Sequence, residues 1–219
     1  PMPGTDIWQK VQQIKGQLPE LRAIVVVGGA GVAAPASPGN PQILDFDTLV
    51  DAQPADRLIS GRTIAASDVA AYFHTGGTTG TPKLVQHTHG NQVYQAWVIG
   101  LMLRPGQGEN MLFGLPLFHV GGALTQGLSV LASGGCVVVM SPAGWRNPSA
   151  ARNAWKLVER YRPATFGGVP TVIVAALSMP VGDADISSVK QVSAGGSAIP
   201  VAVARTYVEE RKIPVLEVY

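Results

Sequence analysis

From position 111 to 218 the chain alternates between short apolar runs and longer segments with helical periodicity, and that alternation restricts the folds open to it. Residues 111–115, 136–140, 164–168, 189–193 and 215–218 are too short for buried helices and rich in β-formers, so they read as strands. Between them, 121–131, 148–161, 170–177 and 200–211 read as helices, with Pro148, Pro170 and Pro200 each opening one. Runs apolar along their whole length need cover on both faces. The expected architecture is therefore a layered α/β fold with a largely parallel sheet. Upstream, 8–18 reads as a helix, 23–27 as a strand, 28–41 as a loop and 46–52 as a helical turn. A strand at 68–74, an extended piece at 84–86 and a helix at 91–103 follow.

Composition supports a large core. Apolar residues make up 46% of the 219, and charged residues only 14%, against roughly 25% in an average soluble domain. Either the fold is very compact, or chain outside these residues covers part of its surface. The sequence opens Pro-Met-Pro and stops directly after an apolar run, so both ends read as cut, with further N- and C-terminal parts expected in the same chain. Sixteen basic residues against fourteen acidic ones, without a basic stripe, do not indicate nucleic acid. A single cysteine, Cys136, leaves no intramolecular disulfide and fits a reducing cytoplasm. No cationic leader opens the chain. From Asn110 to Trp145 no formally charged residue occurs, but Gly114, Pro116, His119, Gly121, Gly122, Gln126 and Gly127 interrupt the run. A strand, a buried helix and a second strand explain it better than a transmembrane segment, which needs about 20 predominantly apolar residues.

Two glycine-rich stretches suggest phosphates. Residues 29–34 match G-x-G-x-x-A after an apolar strand, but Pro35, Pro38 and Pro41 follow at once. The dinucleotide fingerprint needs a helix there, and proline at that spacing prevents one. That stretch reads as a loop. The second is His74-Thr-Gly-Gly-Thr-Thr-Gly-Thr-Pro-Lys83. Gly76, Gly77 and Gly80 let backbone N–H groups approach a ligand closely, Thr75, Thr78 and Thr79 add hydroxyls, and Lys83 adds a positive charge. Together these describe a polyphosphate cradle. It is not a Walker A loop, since Thr81 and Pro82 separate Gly80 from the lysine and Leu84 stands where Ser or Thr would be.

The stretch from Thr75 to Lys83 resembles the phosphate-loop signature of the adenylate-forming superfamily, which includes acyl-CoA synthetases, luciferases and peptide-synthetase adenylation domains. Leu84 departs from the family's common glycine. Three further matches follow in the family's order. Leu115-Pro-Leu-Phe-His119-Val-Gly-Gly resembles the second signature, whose histidine lies beside the acyl pocket. Gly195-Gly-Ser-Ala-Ile-Pro200 resembles the segment that runs along adenine, with Ser197 and Ala198 replacing the commoner Ala and Pro. Val215-Leu-Glu-Val-Tyr219 resembles the strand that ends in Tyr-Gly-x-Thr-Glu, of which only the tyrosine is present. The match is specific over 68–219, read as the AMP-binding core; 1–67 reads as the leading part of the same large domain.

The resemblance implies an AMP-forming acyl-CoA synthetase: an α/β N-terminal domain, incomplete here, that uses ATP, Mg²⁺ and coenzyme A to activate a small-molecule carboxylic acid. It implies catalytic roles for His119 and Lys83. It also implies nucleotide contacts at Thr75, Gly76, Gly77, Thr78, Thr79, Gly80, Lys83, Gly195, Gly196, Ser197, Ala198 and Tyr219, with Thr75 meeting magnesium. The family's magnesium glutamate, ribose aspartate and C-terminal lysine fall after position 219, so the 219 residues alone are expected to be inactive. Two other readings stay open: a nucleotide-binding or assembly module without chemistry, and a peptide-synthetase adenylation domain. The second lacks a placed acidic partner for a substrate ammonium. His87 and His89 read as surface or hydrogen-bonding residues for want of further ligands. Cys136 reads as a buried small hydrophobe, and Trp97, Trp145 and Trp155 as packing residues, with Trp97 near enough in sequence to line an acyl pocket.

Overall fold

A computed structural model describes residues 6–28, 40–76, 83–103 and 106–218. The chain divides into two compact units, one ending at Thr63 and one beginning at Ile64. The proline-interrupted stretch at 29–34 lies outside the described residues.

In the first unit α1 (Ile7–Ile14) continues into a 3₁₀ turn (Lys15–Gln17), and β1 (Ala23–Val26) pairs in parallel with β2 (Gln42–Asp45). The sequence reading had no strand at β2. Its end is set by Asp45, whose Oδ1 accepts from the Thr48 N–H at 2.9 Å and from the Thr48 hydroxyl at 2.8 Å. That N-cap starts α2 (Phe46–Asp51). The Thr48 hydrogen bonds hold the Asp45 carboxyl below its ordinary pKa.

The second unit opens with a hairpin of β3 (Val69–His74) and β4 (Leu84–Thr88), which leads into α3 (His89–Leu103). The rest is built on β5 (Asn110–Phe113), β6 (Cys136–Val139), β7 (Pro163–Gly168), β8 (Gln191–Gly195) and β9 (Val215–Val218). These form one sheet in the order β6-β5-β7-β8-β9, every pair parallel. The expected layered, parallel α/β architecture is the one found.

Chain direction across the sheet reverses once. From β5 the chain steps to β6 on one side, then returns past β5 to β7 and continues outward to β9. Right-handed crossovers put the connections of the two directions on opposite faces. A π-helix (Gly121–Leu128) and α4 (Ser129–Ala132) make the first crossover, packed on α3, and Leu103, Met111 and Val130 meet around one small cavity there. The other face carries α5 (Pro148–Arg152), α6 (Ala154–Tyr161), α7 (Pro170–Ser178) and α8 (Val201–Glu209). Its core joins Leu112, Phe166 and Val192 to Trp155, Val158, Ile173 and Tyr207. Trp155 meets Phe166 edge-on, centroids 5.4 Å apart, and its Nε1–H donates to the Met179 carbonyl at 3.1 Å.

Some expected details shift. Residues 148–161 form two helices parted at Asn153, whose Nδ2 donates to the Ser149 carbonyl. Pro148 and Pro170 stand in the first helical turn, but Pro200 is the residue before α8, with an extended ψ of 129°. Cys136 is exposed, not buried, because β6 is an edge strand; Val139 on the same strand is also open. Trp155 is buried as expected, whereas Trp97 is 60% exposed on the outer face of α3. No helix among the described residues is long and apolar enough to cross a membrane.

Candidate active site

The described segments that follow strands β5, β7 and β8 leave from the carboxyl edge of the parallel sheet. The strand order reverses at β5, so a crevice is expected outside the carboxyl ends of β5 and β7. The loop at 114–119 leaves β5 there, and the start of α7 leaves β7 beside it. The two come close: a Cβ on Gly168 would lie 3.4 Å from Leu115 Cδ2.

His119 sits at the end of the first loop, exposed. Its Nδ1 accepts from the Gly121 N–H at 3.0 Å, which leaves Nε2 to face outward from that contact. Its carbonyl accepts from the N–H groups of Gly122 and Ala123 at 3.0 and 2.9 Å. These bonds anchor the histidine to the first turn of the π-helix. Gly122 makes the geometry possible, since a Cβ there would lie 2.1 Å from the Pro116 carbonyl oxygen. A wide helical turn with glycine at the contact lets the helix start directly beneath the loop.

The segment 195–198 leaves β8 on the same edge. Gly196 has φ +86°, a conformation that L side chains avoid, and a Cβ on Gly195 would lie 3.0 Å from the Val218 carbonyl oxygen. Ser197 and Ala198 are exposed. The turn is held by Glu217 on β9, whose Oε1 accepts from the Ile199 N–H at 3.1 Å. Sequence reading passed over Glu217; its signal was a lone carboxylate inside a four-residue apolar strand. The described part of β9 ends at Val218, and Tyr219 lies outside the described residues.

Thr75 and Lys83 stand at the neck of the β3–β4 hairpin, which forms its own two-stranded sheet. The Thr75 N–H donates to the Lys83 carbonyl at 2.8 Å, and the Thr75 Oγ1 lies 3.3 Å from both the Lys83 nitrogen and its carbonyl oxygen. Gly76 is exposed beside them. Gly77, Thr78, Thr79 and Gly80 fall outside the described residues. The structure thus gathers His119 and residues 195–198 on one sheet edge and pairs Thr75 with Lys83 at a separate hairpin neck. His87 packs its ring against Phe73 on the same hairpin, centroids 4.9 Å apart.

One contact of Phe118, the residue before His119, was not foreseen. The Arg146 guanidinium lies over the Phe118 ring, 5.9 Å from its centroid. Two aromatic–cation neighbours distant in sequence leave no periodic trace, so spacing could not have found the pair.

The profile of the AMP-binding enzyme family matches residues 5–219. A marinolic acid–CoA ligase of Pseudoalteromonas sp. (strain SANK 73390) is 33% identical over 182 residues, covering 80% of this chain and 28% of the ligase. A long-chain-fatty-acid–CoA ligase of Bacillus subtilis (strain 168) is 30% identical over 147 residues, covering 64% of this chain and 24% of that enzyme. Among solved structures, the anthranilate CoA ligase AuaEII in complex with anthranoyl-AMP superposes with a TM-score of 0.78 at 24% identity, covering 96% of this chain and 38% of that one. The N-terminal domain of FACL13 from Mycobacterium tuberculosis gives 0.68 at 21% identity, covering 96% and 53%. The chain therefore spans 24% to 28% of the length of these two curated relatives.

Proposed function

The chain belongs to the AMP-binding enzyme family, and from that premise we propose that it is the nucleotide- and acyl-handling part of an ATP-dependent carboxylate–CoA ligase. In the first half-reaction a carboxylate oxygen attacks the α-phosphorus of ATP; an acyl-adenylate forms and pyrophosphate leaves. In the second, the coenzyme A sulfur attacks the acyl carbon, its proton is lost and AMP departs, leaving a thioester. The acid is of the fatty-acyl or a related kind, as the CoA ligases similar to this chain suggest.

The observation that carries this reading is the convergence of His119 and residues 195–198 on the carboxyl edge of the sheet, next to its reversal point. His119 turns Nε2 outward to meet a carboxylate oxygen, while residues 195–198 offer a flat backbone surface for adenine, with Tyr219 as its stacking partner. Lys83 and the loop Gly76, Gly77, Thr78, Thr79 and Gly80 hold the phosphates. Negative charge builds around phosphorus in this step, so fixed donors and a cation lower its barrier.

Mg²⁺ fits as an ion carried by the nucleotide. The described residues hold no group of three or more His, Cys, Asp or Glu side chains that could bind it alone, and magnesium is commonly bound through substrate phosphates. A hydroxyl has one proton and two lone pairs, so Thr75 keeps one lone pair beyond its two Lys83 contacts. Bound there, the ion would neutralise phosphate charge.

Carboxylate-dependent ATP–pyrophosphate exchange tests the proposal. The expected result is exchange with fatty or aryl acids by the enzyme that carries residues 5–219, and MgATP binding without exchange by the 219 residues alone. Release of ADP and phosphate, or exchange indifferent to added acid, would overturn it.

A further inference from the structure

Arg146 is fixed at both ends of its side chain. At its root, the turn Gly144–Arg146 is fastened to Gly114, the residue that leaves β5. The Trp145 N–H donates to the Gly114 carbonyl at 3.1 Å. Gly144 has φ +54°, and a Cβ on it would lie 2.0 Å from that same oxygen. A Cβ on Gly114 would lie 2.5 Å from Trp145 Cδ1, so the indole rests directly on the bare Cα. At its tip, the guanidinium lies over Phe118. A cation held over a ring is bound by electrostatic attraction and not by a hydrogen bond, so the guanidinium keeps its N–H donors. No carboxylate pairs with Arg146 among the described residues.

Beside this cation is a half-open pocket of about 220 Å³. Its walls are Trp145 and Arg146 on one side, Ala151 of α5, and Val172 and Ala175 of α7 with Met179 just after it on the other. The polar side-chain groups among the lining residues are the Arg146 guanidinium, the Thr171 hydroxyl and the Trp145 indole N–H. A pocket with apolar walls and one preorganised, unpaired cation at its rim suits an organic anion with a short apolar body. The fork meets a carboxylate or sulfonate in bidentate fashion, and the body displaces water from α7.

The geometry points to a second binding site in this chain: the Arg146 pocket takes a short organic anion, separate from the phosphate loop and seated against the loop that ends in His119. Because Phe118 adjoins His119, an occupant that draws Arg146 off the ring changes the support of the histidine loop.

The test is calorimetric titration of the 219-residue chain with hexane-1-sulfonate, which cannot be adenylated, against neutral hexan-1-ol. Sulfonate is expected to bind at least tenfold more tightly than the alcohol. Arg146→Gln, an exposed change that leaves the fold intact by circular dichroism, should reduce sulfonate affinity about tenfold to the level of the alcohol. Arg146→Lys should fall between, since it keeps the charge and loses the fork. Ala175→Phe, which fills the cavity, should weaken both ligands, and His119→Ala should weaken neither. Unchanged sulfonate binding in Arg146→Gln overturns the proposal. So does binding that is lost in His119→Ala and kept in Arg146→Gln.

Discussion

Thr75 and Lys83 hold each other three ways across the neck of the β3–β4 hairpin. The Thr75 N–H donates to the Lys83 carbonyl, and its hydroxyl bridges the Lys83 N–H and carbonyl at 3.3 Å each. The resemblance implies a magnesium contact for Thr75; the geometry shows Thr75 closing the neck of the hairpin. A loop that must present several N–H groups to one polyphosphate gains from fixed ends, because fewer conformations are lost when the ligand binds.

Thr75→Val is therefore expected to lower MgATP affinity about three- to tenfold, the range of one or two modest hydrogen bonds. Thr75→Ser, which keeps the oxygen, should bind within about twofold of the wild type. Titration calorimetry with and without magnesium separates the two duties. If the neck dominates, Thr75→Val weakens ATP equally in both conditions. If the metal contact dominates, the loss appears only with magnesium present.

Gly122→Ala should be costly out of proportion to its size. The new methyl would sit 2.1 Å from a backbone oxygen, Pro116 O, and backbone on both sides has nowhere to yield. Overpacking of this kind costs about 1–3 kcal/mol, which lowers Tm by roughly 2–12 °C for a chain of this size. Since Gly122 donates to the His119 carbonyl, carboxylate-dependent exchange should fall further than stability does. Gly121→Ala is the milder comparison, because its Cβ would meet side-chain atoms alone, His119 Nδ1 at 3.2 Å and Leu115 Cδ1 at 3.7 Å. Differential scanning calorimetry beside exchange assays decides whether that pair behaves as stated.

At the opposite, amino edge of the sheet, the Lys190 ammonium pairs with the Glu109 carboxylate, which also accepts the Gly106 N–H at 3.0 Å. Those contacts, the lysine's first, hold Glu109 below its ordinary value of 4.5. A lowered folded pKa means the stabilisation is complete above the unfolded value and is lost as pH falls through the folded one. Glu109→Gln should therefore flatten the decline of stability below pH 4.5 and leave the profile near pH 7 parallel to wild type. Urea midpoints between pH 2.5 and 7 measure this; a decline as steep as wild type would rule out the assignment.

The five parallel strands and their helices were legible because burial on two faces produces continuous apolar runs, which mark α/β sheets wherever they occur. The reading failed where a local cause was too small to leave a pattern. β2 is four residues, Gln-Ile-Leu-Asp, between a proline and a capped helix, too short to show a period. The segment 121–131 was legible as a helix, but the π geometry of its first part, where Gly122 packs on the Pro116 carbonyl, depends on a contact made by folding. Cys136 was misjudged since an apolar neighbourhood in sequence says nothing of a strand's place at the sheet edge. Of the candidate site, His119 and residues 195–198 were visible as motifs. Glu217 and Arg146 lie 18 and 28 residues away from their partners Ile199 and Phe118 and meet them only in three dimensions.

Tyr207 gives the most exacting check of the helical layer, because one atom carries it. The side chain is fully buried, and its hydroxyl donates to the Ile173 carbonyl at 2.9 Å, tying α8 to α7. Burial pushes the phenol well above its ordinary value of 10.0, with Arg211 opposing in part. Below pH 10 both folded and unfolded chains carry the proton and the hydrogen bond contributes fully. Above pH 10 the unfolded chain ionises while the folded one does not, so the folded state binds more protons and stability falls as pH rises. Tyr207→Phe removes both effects. It should cost about 0.5–1.5 kcal/mol at pH 7, a Tm decrease of roughly 1–6 °C, and it should reduce the loss of stability between pH 10 and 11.5. Chemical unfolding followed across that range in both proteins settles the point: a variant as alkali-sensitive as wild type would assign the titration to another group and leave Tyr207 only its packing role.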